Sequence, residues 1–138
     1  MCANCPILWS SKMQTTIALS TTEAECVALS TALRDVIFLM QLTQELQDNG
    51  AKVPKNGAPK VTCRVFEDNV GALELATQHK LRPRTKHIAV QFHHFRHYVT
   101  TKQIQVEYVK TTNQIADIFT KPLPRATFVY LRKLLLNW

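Results

Sequence analysis

The 138-residue sequence contains only 3 glycines and lacks low-complexity runs, internal repeats and long apolar runs. The composition is therefore that of a globular protein rather than a disordered or repeat protein. The apolar runs are broken well short of a membrane span, and the N-terminus has no basic region ahead of an apolar one. We expect one intracellular domain, cytoplasmic or nuclear, with no membrane contact.

Acidic residues are also scarce. The chain has 17 lysines and arginines against 10 aspartates and glutamates, a formal net charge of +7. This excess predicts a polyanionic partner, with nucleic acid favoured over a membrane because no basic amphipathic anchor is present. A solvated positive surface without a partner is the simpler alternative.

The 4 cysteines include one C-x-x-C pair, Cys2 and Cys5, and no second pair at the spacing of a zinc site. Cys26 and Cys63 fall in a helical and an alternating segment, where they read as small buried hydrophobic residues. A small domain stabilised by zinc on Cys2 and Cys5 stays open as a minor alternative.

Hydrophobic periodicity and turn residues predict strands alternating with helices, which is typical of an α/β fold. Asn49-Gly50 marks the end of the longest helix, and "AKVPKNGAPK" is typical of an exposed loop. The predicted strands cover 6–12, 61–67 and 103–109, the loop covers 48–60, and the helices cover 21–47, 71–79, 85–99, 113–120 and 125–136.

Two glutamates open the longest helix, in "LSTTEAECVALSTALRDVIFLM". Glu23 completes a capping box with Ser20, in which the serine hydroxyl accepts the Glu23 amide and the Glu23 carboxylate reaches back to the Ser20 amide. Glu25 points elsewhere, since two residues are about 200° apart on a helix. It lies at the end of the apolar stripe, where a carboxylate either points into water at the rim or has a functional role.

Glu25, Asp68 and Asp117 all lie at the ends of predicted elements, where side chains from distant segments can converge on a divalent ion. Each also has a structural explanation, because aspartate favours turns at strand ends and stabilises the first turn of a helix. Only convergence of all three would go beyond those explanations.

Four stretches, in this order, resemble the ribonuclease H domain of copia-type (Ty1/copia, Pseudoviridae) retrotransposon polyproteins, and together they cover nearly the whole chain. They are "ILWSSKMQTTIALSTTEAECVALSTA", "FEDNVGALELA", "RPRTKHIAVQFHHFRHYV" and "VEYVKTTNQIADIFTKPL". The resemblance implies an RNase H-like fold, a five-stranded mixed sheet flanked by helices. It also implies cleavage of the RNA strand of RNA/DNA hybrids with Mg²⁺ or Mn²⁺.

The same resemblance assigns catalytic and metal-binding roles to Glu25, Asp68 and Asp117. It also indicates what differs here: the family begins with two further strands and another catalytic aspartate, and no aspartate precedes Glu25 in this sequence. Ala89 stands where many relatives have an acidic residue. We therefore expect an N-terminally truncated domain with weak or no cleavage, whose sheet is completed by an upstream reverse transcriptase segment or a second chain.

A basic cluster surrounds the segment before the helix predicted at 85–99. Arg82, Arg84, Lys86 and Arg96 are the predicted contacts to the phosphates of a hybrid or another nucleic acid. His93 and His97 share a helical face but lack a third metal ligand, and Phe92, Phe95 and Phe128 are predicted core residues. A non-catalytic nucleic-acid-binding or protein-interaction remnant is the alternative function.

Overall fold

The computed structural model describes residues 6–15, 17–51, 61–77 and 94–136. It divides into two compact units. The central unit is Ile17–Tyr108, and the terminal unit joins Met1–Thr16 to Val109–Trp138. The fold is a mixture of helices and strands, which confirms the α/β class, whereas the RNase H-like arrangement and the single domain stay predictions.

Helix α1, Thr21–Asp48, is the longest element of the central unit and begins where the sequence predicts. Ser20 Oγ accepts the Glu23 amide at 3.1 Å. The Glu23 carboxylate accepts the Leu19 amide at 2.8 Å, one residue earlier than the capping box predicts. At the other end, Gly50 has a φ of 86° and follows the cap residue, so the predicted stop at Asn49-Gly50 is confirmed.

By length and composition α1 could also cross a membrane. This is weak evidence, because the core helix of a soluble protein has the same character, and α1 supplies Cys26, Leu29, Leu33 and Met40 to the hydrophobic core. The expectation of no membrane contact stays a prediction.

Strands β1, Cys63–Glu67, and β2, Ile104–Tyr108, pair in parallel, with Cys63 opposite Ile104 and Glu67 opposite Tyr108. A parallel pair needs a crossover connection, which here contains helix α2, Val70–Thr77, and helix α3, residues 94–100. Both strands lie within their predicted ranges. The described residues thus form a two-stranded sheet, against the five strands that the family resemblance implies.

The strand predicted at 6–12 is wrong, because those residues have no regular secondary structure. Ile7, Leu8 and Trp9 are all more than half exposed. Alternating apolar residues form a strand only where another strand offers backbone groups to pair with, and the described residues around this segment offer none.

The core of the central unit lies between α1, α2, α3 and the inward face of the sheet. Ala72 of α2, Phe95 of α3 and Ile104 of β2 are buried in it, and Val99 packs against it. The core positions predicted for Cys26 and Phe95 are therefore confirmed. The inward stripe of α1 runs through Cys26, Leu29 and Leu33, whereas Ala28 and Ala32 are exposed.

The terminal unit has two short 3₁₀ helices, Thr111–Asn113 and Ile115–Phe119, in place of the single helix predicted at 113–120. Helix α4, Arg125–Leu136, has its predicted bounds and buries Leu131. Phe128, predicted as a core residue, is 42% exposed. The Ser11 hydroxyl donates to the Phe119 carbonyl at 3.0 Å within the same unit.

Several predictions fall partly or wholly outside the described residues. They are most of the loop at 48–60, of which Asp48 belongs to α1, the last two residues of the helix at 71–79, and residues 85–93 of the helix at 85–99. The same holds for Cys2, Cys5, Ala89, Phe92 and His93.

Candidate functional site

The carboxyl end of β1 meets the first turns of α1 and α2 in what we call the strand-end junction, formed by Thr22, Glu25, Glu67, Asp68 and Asn69. Glu67 is the last residue of β1, and Asn69 immediately precedes α2. Parallel strands gather their carboxyl ends at one edge of a sheet, where the adjoining helices begin. The junction therefore brings polar side chains from three elements together.

Glu25 and Asp68 are the two predicted site residues that the junction contains. Both are half-buried, and both are close enough to Glu67 for their charges to raise its pKa. Glu23, by contrast, is buried and bonded to the start of α1. The prediction that Glu23 caps α1 is therefore confirmed, while a metal role for Glu25 stays a prediction.

Glu67 is the acidic residue that sequence reasoning missed. Glu67 is 5% exposed, and its Oε1 accepts the Asn69 amide at 3.0 Å. Burial raises the pKa of Glu67 to about 7; the Asn69 hydrogen bond opposes this rise, and the Glu25 and Asp68 charges add to it. The alternation of β1 carried the signal, because Glu67 follows Cys63 and Val65 on the inward face.

Cys26 lies one residue beyond Glu25 and is fully buried. Burial raises the pKa of the Cys26 thiol to about 12, and the nearby charges of Glu67, Glu23 and Glu25 contribute to the rise. A thiol held neutral in this way packs as an apolar group rather than binding a metal as a thiolate. The prediction that Cys26 is a small buried hydrophobic residue is confirmed.

Asp117, the third predicted acid, belongs to the terminal unit, in the second 3₁₀ helix. It is 7% exposed, and its Oδ1 lies 2.8 Å from Lys121 Nζ. The lysine therefore already supplies a positive charge to this carboxylate. Because Asp117 and the strand-end junction belong to different units, convergence of the three acids stays untested.

The donor chemistry of Glu25 and Asp68 suits Mg²⁺, since ionised carboxylates are the hard oxygen ligands that this ion prefers. Within the described ranges, however, no group of three or more His, Cys, Asp or Glu side chains could hold a metal ion. The junction thus contains two of the three predicted ligands, and a metal site there stays a prediction.

Of the predicted nucleic-acid contacts, Arg82, Arg84 and Lys86 lie outside the described residues. Arg96 is half-buried in α3. On either side of it, His94 and His97 are exposed and stack edge-on with Phe95 and Tyr98 at ring-centroid distances of 5.1 and 5.8 Å.

Comparison with curated proteins gives matches over most of the chain. It is 36% identical over 123 residues to the retrovirus-related Pol polyprotein from transposon RE1 of Arabidopsis thaliana, which covers 89% of this chain. It is 34% identical over 128 residues to the corresponding polyprotein from transposon TNT 1-94 of Nicotiana tabacum, covering 93%. The chain is thus homologous to the Pol polyproteins of copia-type retrotransposons.

A more distant relative of this chain is the transposon Ty1-DR1 Gag-Pol polyprotein of Saccharomyces cerevisiae, 32% identical over 112 residues, or 81% of the chain. The chain spans only 8%, 9% and 6% of the lengths of these three relatives. The expected relationship to copia-type Pol polyproteins is thereby confirmed, and the assignment to their ribonuclease H domain stays a prediction. No family model and no solved structure matches the chain.

Proposed function

We propose that this chain is a ribonuclease H-like segment of a copia-type Pol polyprotein. In intact relatives such a segment would cleave the RNA strand of RNA/DNA hybrids, and these 138 residues alone would cleave weakly or not at all. The observation that carries the proposal is the match to Pol polyproteins over 81–93% of the chain, together with two of the three expected acids in one junction.

In this proposal Glu25 and Asp68 are the ligands that the strand-end junction contributes, and Asp117 is the third. A divalent ion, Mg²⁺ or Mn²⁺, would supply activation of water and stabilisation of the leaving oxygen. The chain's own contribution is placement: the end of β1 positions Asp68, and the capped start of α1 positions Glu25. The basic side chains would hold the phosphates of the hybrid; they are Arg82, Arg84, Lys86 and Arg96.

Weak cleavage by these 138 residues follows from the ligand set that the family resemblance implies, because no aspartate precedes Glu25 in them. In addition, the Asp117 carboxylate is paired with Lys121. Stabilisation of a phosphoryl-transfer transition state requires the charges to be fixed in advance, so an incomplete set leaves little activity. An upstream reverse transcriptase segment, or a second chain, would complete the sheet and the site.

The test is cleavage of an end-labelled RNA/DNA hybrid by the 138-residue chain in Mg²⁺ and in Mn²⁺, beside the variant Asp68→Asn. We expect little or no cleavage by the chain, and recovery when the upstream Pol segment of a relative is added. Strong cleavage that Asp68→Asn abolishes would show that the present carboxylates suffice. Cleavage that survives Asp68→Asn would contradict the assignment of the site.

The second candidate function is a non-catalytic nucleic-acid-binding or protein-interaction remnant. The Asp117–Lys121 pair favours it, because a carboxylate neutralised by a lysine serves packing without any metal. Binding of the hybrid that depends on salt but not on Mg²⁺, with no cleavage after addition of the upstream segment, would support this candidate.

A further inference from the structure

Asn69, in the turn between β1 and α2, contacts three elements at once. Its Oδ1 accepts the Ala72 amide at 3.1 Å and so caps α2. The same oxygen accepts the Thr22 hydroxyl of α1 at 3.4 Å, and the Asn69 amide donates to Glu67 of β1 at 3.0 Å. A helix cap alone would need only the first of these bonds.

Gly71 shows how closely the starts of α1 and α2 approach each other. A Cβ at this position would lie 2.9 Å from both Thr22 Cγ2 and Thr22 Oγ1, and 3.2 Å from Asn69 Oδ1. These distances are shorter than normal van der Waals separations, so any side chain here would push Thr22 away. The starts of α1 and α2 are thus held together by the long Thr22–Asn69 hydrogen bond and by close packing of Thr22 against Gly71.

We propose that Thr22 and Asn69 are positioning residues for the carboxylates of the strand-end junction. Thr22 lies one helical turn before Glu25 and on the same side of α1, and Asn69 is the immediate neighbour of Asp68. The Thr22–Asn69 contact therefore fixes the separation of Glu25 and Asp68, although neither positioning side chain is itself a predicted ligand. The expected effect on metal affinity rests on the proposed function. The mechanical coupling between the starts of α1 and α2 does not rest on it.

The first experiment compares Thr22→Val with Thr43→Val in the 138-residue chain. Valine keeps the shape of threonine and removes the hydroxyl. Thr43 is a fitting control because it is half-buried in the same helix, and its hydroxyl donates to the Leu39 carbonyl of that helix at 2.6 Å. Hydrogen exchange of individual amides and the affinity for Mn²⁺, measured from the signal of free Mn²⁺ in electron paramagnetic resonance, are recorded for both.

If the proposal holds, Thr22→Val speeds exchange of the Ala72 and Leu73 amides in α2, a helix to which Thr22 does not belong, and Thr43→Val leaves them unchanged. Affinity for Mn²⁺ falls about tenfold in Thr22→Val, as it does when residues that orient metal ligands are removed. Unchanged exchange in α2, or unchanged Mn²⁺ affinity in a chain whose binding Asp68→Asn abolishes, would overturn the proposal.

A wild-type chain that binds no Mn²⁺ would count against the proposed metal site and leave the exchange result to decide the coupling. The two failures are therefore distinguishable.

A pair of substitutions, one that adds a methyl group and one that removes side-chain atoms, gives a second, independent test. Gly71→Ala forces Thr22 out of its present rotamer, so we expect faster exchange at the starts of both α1 and α2. Adding Thr22→Ala removes the two atoms that the new methyl group would meet. The double variant should therefore exchange more slowly at Glu23 and Leu73 than Gly71→Ala does, but no more slowly than Thr22→Val, which also lacks the hydroxyl. A double variant no better protected than Gly71→Ala would show that the contact does not couple the helices.

Discussion

At the scale of single residues, the acidic side chains of the chain have three different roles. Glu23 caps α1, Asp117 pairs with Lys121, and Glu67 is buried and accepts the Asn69 amide. The sequence revealed the cap, because capping depends on neighbours three positions away. It did not reveal the burial of Glu67, because that depends on α1 covering the inward face of a strand 40 residues later.

Glu67→Gln should change how stability depends on pH. The pKa of Glu67 is raised from 4.5 to about 7 by burial, so the folded state holds this proton more tightly than the unfolded chain. The protonated Glu67 carboxyl group therefore stabilises the fold, and this contribution is complete below about pH 4.5. It is lost as the pH rises through 7, which lowers the free energy of unfolding by up to about 3 kcal/mol. Glutamine stays neutral and keeps an acceptor for the Asn69 amide.

We therefore expect Glu67→Gln to be more stable than the wild type at pH 8 and similar to it at pH 5, in urea unfolding monitored by circular dichroism. Glu74→Gln is the control, since Glu74 is exposed on α2. Equal loss of stability between pH 5 and pH 8 in Glu67→Gln and the wild type would contradict the role of this carboxyl group.

Lys121→Met should destabilise the chain by about 1 kcal/mol. The change leaves the Asp117 carboxylate, 7% exposed, without the ammonium group 2.8 Å away. The lysine is itself half-exposed, which keeps the cost well below that of breaking a fully buried pair. Urea unfolding against Lys110→Met, which removes an exposed lysine of the same unit, measures the difference; equal effects would show that the pair contributes nothing.

At the scale of elements, the sequence predicted those segments whose signals are local. The cap at Ser20, the stop at Gly50 and the alternation of β1 and β2 placed α1 and both strands, and the amphipathic period placed α4. The segment 6–12 failed because a strand depends on a partner that the pattern cannot show. The helix at 113–120 became two 3₁₀ turns, separated at Gln114, whose ψ of 101° is not helical.

Two helices end in the same backbone motif with different residues at its critical position. After α1, the amides of Gly50 and Ala51 bond back to Gln47 and Leu46; after α3, those of Lys102 and Gln103 bond back to Val99 and Tyr98. The motif requires a left-handed residue, and φ is 86° at Gly50 but 59° at Lys102. Only the second position therefore carries strain from a side chain.

Gly50→Ala should cost about 1 kcal/mol of stability, because alanine is disfavoured at positive φ. Lys102→Gly should add about 0.5 kcal/mol, since relief of that strain outweighs the extra freedom of the unfolded chain. Thermal unfolding of both variants, beside Lys102→Ala as a neutral control, checks the opposite signs. A loss of stability in Lys102→Gly would contradict this account of the turn.

At the scale of the whole molecule, charge and relatedness carry the functional argument. The net charge of +7 was evident from the sequence, and the family was evident from four stretches in a fixed order. The arrangement of the candidate site was not, because it depends on how helices begin and strands end in space. Glu25 and Asp68 meet in one unit, while Asp117 lies in another.

Binding of an RNA/DNA hybrid should weaken as salt rises, because lysine and arginine side chains release counterions from the phosphates. We expect at least about a tenfold loss of affinity between 50 and 200 mM salt, measured by fluorescence anisotropy. Arg96→Gln should reduce the slope by about one counterion, whereas Arg34→Gln, an exposed position on α1, should not. Affinity independent of salt would rule out phosphate contacts as the source of binding.

The parallel pairing of β1 with β2 has a consequence for the order in which the chain folds. Cys63 and Ile104 lie opposite each other, so pairing the strands closes a loop of about 40 residues. The entropy of loop closure is lost before the hydrogen bonds between the strands can offset it. Helix α1 can form without closing a long loop, because the residues that cap it and end it lie within a few positions of its ends. The chain should therefore pass through states in which α1 is formed and the sheet is not, and slow steps in refolding should report on the strands.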